Sequence, residues 1–260
     1  MVVNPAKAEA MESDSGTGMP ASIEAAWGLR ERPGKGPKPG LSLQRIIDAA
    51  VRVAGSDGFA AVSMNRVAKE LGASPMALYR YVTAKDELVD LMLDAAIGAP
   101  PAPPAQDMGW RAVLSQWCQA LLAAFRRNPW TLRVSVTMPP ATPNQLTWME
   151  QGLSALRDTG LTEGEKVSVI MLLSNYVRST EAMFSGIADA FQASGSSAEE
   201  IMSSYGRFLS KVIDPQRFPA LSVSVEAGVF DQPDDDPDSE FVFGLERVLD
   251  GIETLIRTRA

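Results

Sequence analysis

The chain contains no histidine among its 260 residues, and it contains a single cysteine, Cys118. The lack of histidine weakens the case for Ser–His or Cys–His nucleophilic catalysis and for zinc held by histidines. One cysteine rules out an internal disulfide framework and a cysteine zinc cage. No glycine-rich phosphate loop follows a strand. We therefore predict no catalytic centre, no metal ion and no cofactor, and an enzyme is the least favoured class.

The chain also lacks a long apolar run. No stretch of eighteen or so consecutive apolar residues is present, so we expect no membrane span. The polar N-terminus holds no apolar core of the kind that a secretory signal needs. These absences predict a protein that stays in the cytoplasm.

Positive charge is scarce overall but unevenly placed. The net charge is −8, yet ten basic residues accompany seven acidic ones between Arg30 and Asp90. This distribution predicts a mildly basic segment joined to an acidic body, as expected if only one part of the chain meets phosphates.

Apolar residues recur at helical spacing along most of the chain, and there is no internal repeat or convincing strand pattern. We predict an all-α fold with three parts. Residues 1–40, rich in Gly, Pro and Ser, are expected to be a disordered arm that is basic from residue 30. Its Arg30, Arg32, Lys35 and Lys38 suit either a solvated linker or a contact to DNA. A proline-rich break near residue 98 separates a head, 41–98, from a body, 99–260.

The stretch from Ser63 to Lys85, SMNRVAKELGASPMALYRYVTAK, predicts two short helices joined by a tight turn. Ser63 and Ser74 are candidate N-caps, and Pro75 suits the first position of the second helix. Gly72 stands where a chain that leaves a helix often needs a left-handed residue. This pattern is typical of a helix-turn-helix, whose second helix enters the DNA major groove.

Two runs in the head, IIDAAVRVAGSDGFAAVSMNRVAKELG and LYRYVTAKDELVDLM, resemble the DNA-binding head of the TetR family of bacterial transcription repressors. More weakly, FPAL at 218–221 and FVFGLERVLDGI at 241–252 resemble the C-terminal domain of the tetracycline-repressor subgroup. The resemblance implies an all-helical homodimer. Its heads would bind a palindromic double-stranded DNA operator, and its body would hold a small-molecule inducer.

By position, the resemblance places DNA contacts at the starts of the two short helices and just beyond the second. Apolar contacts of Met76 and Ala77 with thymine methyls, and pairing of Asn65 with adenine, would supply base reading. For Tyr81, packing and DNA contact stay equally open. Arg80 could contact DNA or pair with Asp86 or Glu87, and we favour the ion pair. The candidate DNA-binding residues are Ser63, Met64, Asn65, Ser74, Pro75, Met76, Ala77, Tyr79, Tyr81, Thr83 and Lys85.

In the body, ligand sites between packed helices are mostly apolar with few polar groups. The candidate ligand-binding residues are Trp117, Leu121, Trp148, Met171, Asn175 and Met183, with Asn175 as the polar anchor. The tetracycline repressor holds a magnesium–drug complex with histidines, so this ligand is not expected here. Helices near 162–192 and 239–257 are expected to form the dimer interface, although the same apolar residues could close the body's own core.

These features together predict a ligand-responsive repressor that is released from its operator by an inducer. Two alternatives stay open. One is a helical module that sequesters ligand or binds protein without operator binding, and the other is a transcriptional activator of the same fold.

Overall fold

A computed structural model of the chain describes residues 18–29, 40–103, 108–136, 138–195, 197–231, 236 and 238–259. Over these ranges the chain forms eleven α-helices and no strand, so the predicted all-α class is confirmed. The helices are α1 Ala21–Ala26, α2 Leu43–Asp57, α3 Met64–Glu70, α4 Pro75–Leu78, α5 Lys85–Ile97, α6 Trp110–Arg127, α7 Pro143–Ala155, α8 Glu163–Ser194, α9 Ala198–Val212, α10 Pro219–Glu226 and α11 Ser239–Arg259. Two 3₁₀ turns occupy Phe59–Ala61 and Pro129–Arg133.

The described chain divides into two compact units. The first contains the described residues up to Ser174 and those from Ile256 onward, and the second is Asn175–Leu255. The division falls inside α8 and α11, and we describe each unit by itself. None of the described helices combines the length and the apolar character that a membrane span requires.

The helix-turn-helix forms as predicted. The hydroxyl oxygens of Ser63 and Ser74 accept hydrogen bonds from the backbone N–H groups of Arg66 and Ala77, at 3.2 and 3.3 Å. Pro75 is the first residue of α4, where its missing N–H removes no helical hydrogen bond. Gly72 has a φ of +63°, a conformation in which side chains are strained. The turn is therefore specified by these local residues.

Helix α5 connects the head to the body. The sequence predicts a single apolar face that includes Leu88, Leu91, Met92 and Ala95, and the structure corrects that pattern. Ala95 is exposed, whereas Val89 and Leu93 on other faces are buried. The reason is that α5 packs against α1, α2, α6 and α7, so most of its circumference is covered. The sequence also predicts that this helix starts at Thr83, whereas it begins at Lys85.

Helix α1 corrects the prediction that residues 1–40 are disordered throughout. Its Ile23 is 2% exposed and belongs to the core of the head. The Ser22 hydroxyl donates to the Glu87 carboxylate at 2.6 Å, and the Trp27 indole N–H donates to the carbonyl of Ala141 at 2.8 Å. A helix of six residues is too short to be stable by itself, so this helix depends on tertiary packing. The predicted basic arm at residues 30–38 lies outside the described residues.

Cys118 lies in the first unit, fully buried in α6. Burial raises the pKa of its thiol to about 12. Because the thiolate is the reactive form, this cysteine is chemically inert at neutral pH and its role is packing.

Helix α8 begins at a capping box, as the sequence predicts. The Glu165 N–H donates to the Thr162 hydroxyl at 3.3 Å, and the Glu165 carboxylate accepts from the Thr162 N–H at 2.9 Å. The same carboxylate accepts from the Arg259 guanidinium at 2.6 Å. The bond from the Thr162 backbone and then the bond from Arg259 lower the pKa of Glu165.

In the second unit, α11 crosses α8 at close range. The rings of Tyr176 and Phe241 stack with centroids 5.6 Å apart, and the Tyr176 hydroxyl donates to the Phe241 carbonyl at 2.8 Å. A Cβ at Gly244 would collide with the Tyr176 ring, so the glycine permits this approach. Within this unit the same two helices leave four large apolar side chains exposed, which are Met183, Ile187, Val242 and Phe243.

Candidate functional site

The helix-turn-helix presents a continuous set of exposed side chains. Met76 is 73% exposed and Tyr79 is 43% exposed, although both are large and apolar or aromatic. Asn65 and Lys85 are exposed beside them, whereas Leu78 and Val82 of the same segment are fully buried. This alternation anchors α4 by one face and leaves its other face available to a partner.

Two of the predicted DNA-binding residues are not presented at this surface. Met64 is 7% exposed and belongs to the head core, because the first turn of α3 points it inward. Tyr81 is half-buried against the same core, and its hydroxyl donates to the Leu41 carbonyl at 3.0 Å. The structure therefore gives both side chains packing roles.

The hydroxyl groups at this surface differ in whether their protons are available for a hydrogen bond to a DNA phosphate. The Ser63 and Ser74 oxygens accept from backbone N–H groups, so each O–H proton is free to reach a phosphate. The Thr83 hydroxyl instead donates to the Glu87 carboxylate. The predicted phosphate contact of Thr83 would have to break this bond.

The cations of the head divide into paired and unpaired groups. The Arg66 guanidinium lies 2.9 Å from the Asp57 carboxylate and 2.9 Å from the Glu70 carboxylate. The hydrogen bond to Glu70, and after it the hydrogen bond to Asp57, raise the pKa of Arg66. Arg80 and Lys85 make no ion pair with any described residue, and the Lys85 ammonium lies 5.8 Å from the Phe59 ring centroid.

The expected pairing of Arg80 with Asp86 or Glu87 is therefore wrong within the described chain. Glu87 is already bonded to Ser22 and Thr83. The alternative that the sequence also allows, a DNA contact by Arg80, therefore stays a prediction.

The first unit also contains an open cavity of about 620 Å³ beside α6 and α7. Its apolar wall comes from the proline-rich segment after α5 and from the start of α6, and its polar wall comes from α7. The described lining residues are Pro100, Pro101, Ala102, Pro103, Met108, Trp110, Val113, Thr147, Glu150, Gln151, Ser154, Ala155, Asp158 and Thr159.

None of the six predicted ligand-binding residues lines this cavity. Trp117, Leu121 and Trp148 are buried in the core, where the two indole rings meet edge to face at 5.6 Å. Met171, Asn175 and Met183 are exposed on α8. An apolar period along a helix does not distinguish a packed face from a cavity wall, so the ligand-binding role of these six residues stays a prediction.

A buried carboxylate joins α5 to α7. Asp94 is 8% exposed, and its Oδ1 accepts from the Thr142 hydroxyl at 2.6 Å and from the N–H groups of Asn144 and Gln145 at 2.9 and 3.0 Å. Its Oδ2 accepts from the Asn144 side-chain amide at 3.0 Å. The N-cap residue of α7 is Thr142, whose side chain makes no capping bond. The Asp94 carboxylate caps the N-terminus of α7 in its place.

Two more hydrogen bonds extend this connection along α7. The Trp148 indole N–H donates to the Gly98 carbonyl at 2.8 Å, and the Gln151 amide donates to the Pro101 carbonyl at 2.8 Å. Residues 94, 98 and 101 are therefore tied to successive turns of α7. The helix that carries the polar wall of the cavity is bonded directly to the helix that enters the head.

Comparison with known proteins finds a family match for each of two parts of the chain. Residues 46–92 match the profile of bacterial regulatory proteins of the tetR family, and residues 101–256 match the tetracyclin repressor-like C-terminal domain. The predicted division of the chain at residue 98 lies between the two matches. The chain is 39% identical over 248 residues, 94% of its length and 90% of the relative, to the HTH-type transcriptional repressor DrrR1 of Streptomyces coeruleorubidus.

Solved structures show the same fold. Apo ActR from Streptomyces coelicolor superposes with a TM-score of 0.72 at 24% identity, covering 86% of this chain and all of that one. ActR in complex with actinorhodin superposes with a TM-score of 0.67 at 26% identity, covering 83% of this chain and 96% of that one. The matched profiles together span the head and the body, and the chain belongs to the TetR family of bacterial transcriptional regulators.

Proposed function

We propose that the chain is a ligand-responsive repressor with a DNA-binding head at 41–98 and a ligand-binding and dimerisation body at 99–260. It binds a palindromic operator as a homodimer, and a small molecule in the cavity beside α7 releases it. A protein that acts on the bacterial chromosome works in the cytoplasm. A relative of this chain is named a transcriptional repressor, and ActR is described with actinorhodin bound, which supports both halves of the proposal.

The observation that carries the proposal is the set of hydrogen bonds that α7 donates to Asp94, Gly98 and Pro101. A ligand that displaces α7 must also displace α5, and α5 is packed against the head. Release requires that the ligand binds the displaced conformation more tightly than the operator-bound one.

A shift assay on the DNA upstream of the gene tests operator binding. The salt dependence of the affinity reports the number of phosphates neutralised, so Lys85→Ala should weaken binding to all sequences and lower the salt slope by about 1. The matched control is Lys211→Ala on α9, outside the head, which should leave both quantities unchanged. Absence of a shift at low salt would favour the sequestering module, and raised transcription of a reporter would favour an activator.

Asn65→Ala tests base reading in the same system. A bidentate amide–adenine contact discriminates by about 1–3 kcal/mol, so the variant should lose its preference at one base of each half-site and keep the others. Footprinting on a library of operators measures this. The exposed Met76 supplies the comparison, because Met76→Ala should relax a thymine preference at a different position. An unchanged preference at every base would contradict the role of Asn65.

The exposed side chains on α8 and α11 support the homodimer. Met183, Ile187, Val242 and Phe243 are large apolar groups that a monomer would leave in water. Both helices lie in the segments where the sequence predicts the interface. In a twofold symmetric dimer the same faces of both copies would cover one another.

A further inference from the structure

We propose that the cavity beside α6 and α7 binds a rigid, polycyclic organic cation. This inference rests on the proposed function, because it takes that cavity as the inducer site and adds the chemical class of its ligand. Three observations support it. They are the size of the cavity, the chemistry of its two walls and the lack of a cationic partner for its carboxylates among the described residues.

The volume and one wall of the cavity favour a flat hydrophobic molecule. A cavity of about 620 Å³ lies in the range of sites that take drug-sized ligands. Trp110, Met108 and Val113 form an apolar surface with the segment from Pro100 to Pro103. The Gln151 side-chain amide donates to the Pro101 carbonyl at 2.8 Å and connects that segment to the polar wall on α7.

The opposite wall carries two negative charges. Glu150 accepts from the Ser154 hydroxyl at 2.9 Å through one carboxylate oxygen, and the other oxygen has no partner within the described chain. Asp158 has no hydrogen bond or ion pair to any described residue. No lysine or arginine occurs among the described lining residues. The cavity therefore repels carboxylate or phosphate ligands and offers two charges to a cation.

The indole of Trp110 adds to this preference. An aromatic face attracts a cation placed over it and also packs against a flat ring system. A delocalised cation on a polycyclic frame satisfies the apolar wall and the carboxylates at once, whereas a small hydrated cation would leave the apolar wall uncovered.

Two dyes with the same ring system test whether the cavity prefers a positively charged ligand. At neutral pH 9-aminoacridine is protonated and acridine is neutral, so calorimetric titration of the full chain without DNA compares charge at nearly constant shape. An exposed ion pair strengthens binding up to about fivefold, so two carboxylates should favour 9-aminoacridine on the order of tenfold. Glu150→Gln with Asp158→Asn should bring the two dissociation constants together.

Two further variants assign the effect to the cavity. Glu199→Gln on α9 removes a carboxylate that does not line the cavity, and it should leave the tenfold ratio intact. Trp110→Ala should weaken both dyes, and circular dichroism checks that each variant is folded. A ratio near one in the unmodified chain would overturn the cationic class while leaving a neutral ligand in the cavity.

Failure of this inference is distinguishable from failure of the proposed function. Binding of neither dye would overturn the assignment of a polycyclic cation, while the operator shift assay is run without ligand and judges the repressor separately. If 9-aminoacridine binds with the expected ratio and the chain does not bind operator, the ligand class stands and the repressor is contradicted.

Discussion

Asp94→Ala should lower the thermal midpoint of the first unit by roughly 6–12 °C. The substitution removes the acceptor of the Thr142 hydroxyl and of the Asn144 and Gln145 N–H groups, all at a site that is 8% exposed. Loss of a helix cap and of hydrogen bonds to a charged group costs about 3 kcal/mol, and each kcal/mol shifts the midpoint by about 2–4 °C. Circular dichroism during heating measures this directly.

Asp94→Asn separates the stability of this connection from its role in signalling. The amide keeps one acceptor oxygen in nearly the same volume, so we expect about half of the loss in midpoint and retained operator binding. The weaker cap should let α7 move with less effect on α5, and ligand should then release less operator at saturation. Asp86→Asn on the exposed first turn of α5 is the control, with a change of about 2 °C or less. A decrease of about 2 °C or less in the thermal midpoint of Asp94→Ala would contradict the capping role.

Phe243→Glu should convert the protein to a monomer and weaken operator binding by at least about a hundredfold. Phe243 is 62% exposed in α11, so the single chain loses little when it is replaced. In a twofold symmetric dimer the new carboxylates of the two copies would be placed in an apolar interface near one another. Two linked heads gain about 10²–10⁴ in affinity over one, and that gain disappears in a monomer.

Light scattering gives the mass, and the shift assay gives the affinity of the same sample. Phe208→Glu on α9 is the matched control, since it is the same residue type with 57% exposure outside the expected interface. It should leave mass and affinity unchanged. A dimer that persists in Phe243→Glu would show that the interface does not include this part of α11.

The helical class and the helix-turn-helix followed from local rules. Ser63, Ser74 and Gly72 act within one or two turns of their own position, so single residues predict the caps and the turn. The capping box at Thr162 has the same character. Helix α1 has no such signal, because Ile23 is stabilised by the core of the head and not by its neighbours in sequence.

The candidate sites were less accessible to sequence reasoning. Exposure of Met76 and Tyr79 agrees with the family pattern, but burial of Met64 depends on how α3 meets the core. The cavity is lined by residues between 100 and 159. Its α7 wall recurs at helical spacing but is mostly polar, so no apolar period marks it. Asp94 accepts a hydrogen bond from the Asn144 N–H, and the Pro101 carbonyl accepts one from the Gln151 side chain. Each bond joins residues that are 50 positions apart in sequence. Such contacts depend on how the helices pack, and a single sequence does not show which distant residues meet.

Helix α1 bears on how interchangeable TetR heads are. An exchange of heads that follows the edges of the matched profile, to give one sensor a new operator, would begin at residue 46 here. In this chain Ile23 fills the head core and the Trp27 indole is bonded to Ala141, which belongs to the recipient body. A graft that starts at residue 46 would leave that core open. A functional chimaera should therefore carry residues 19–27 of the donor and an acceptor for Trp27 in the host.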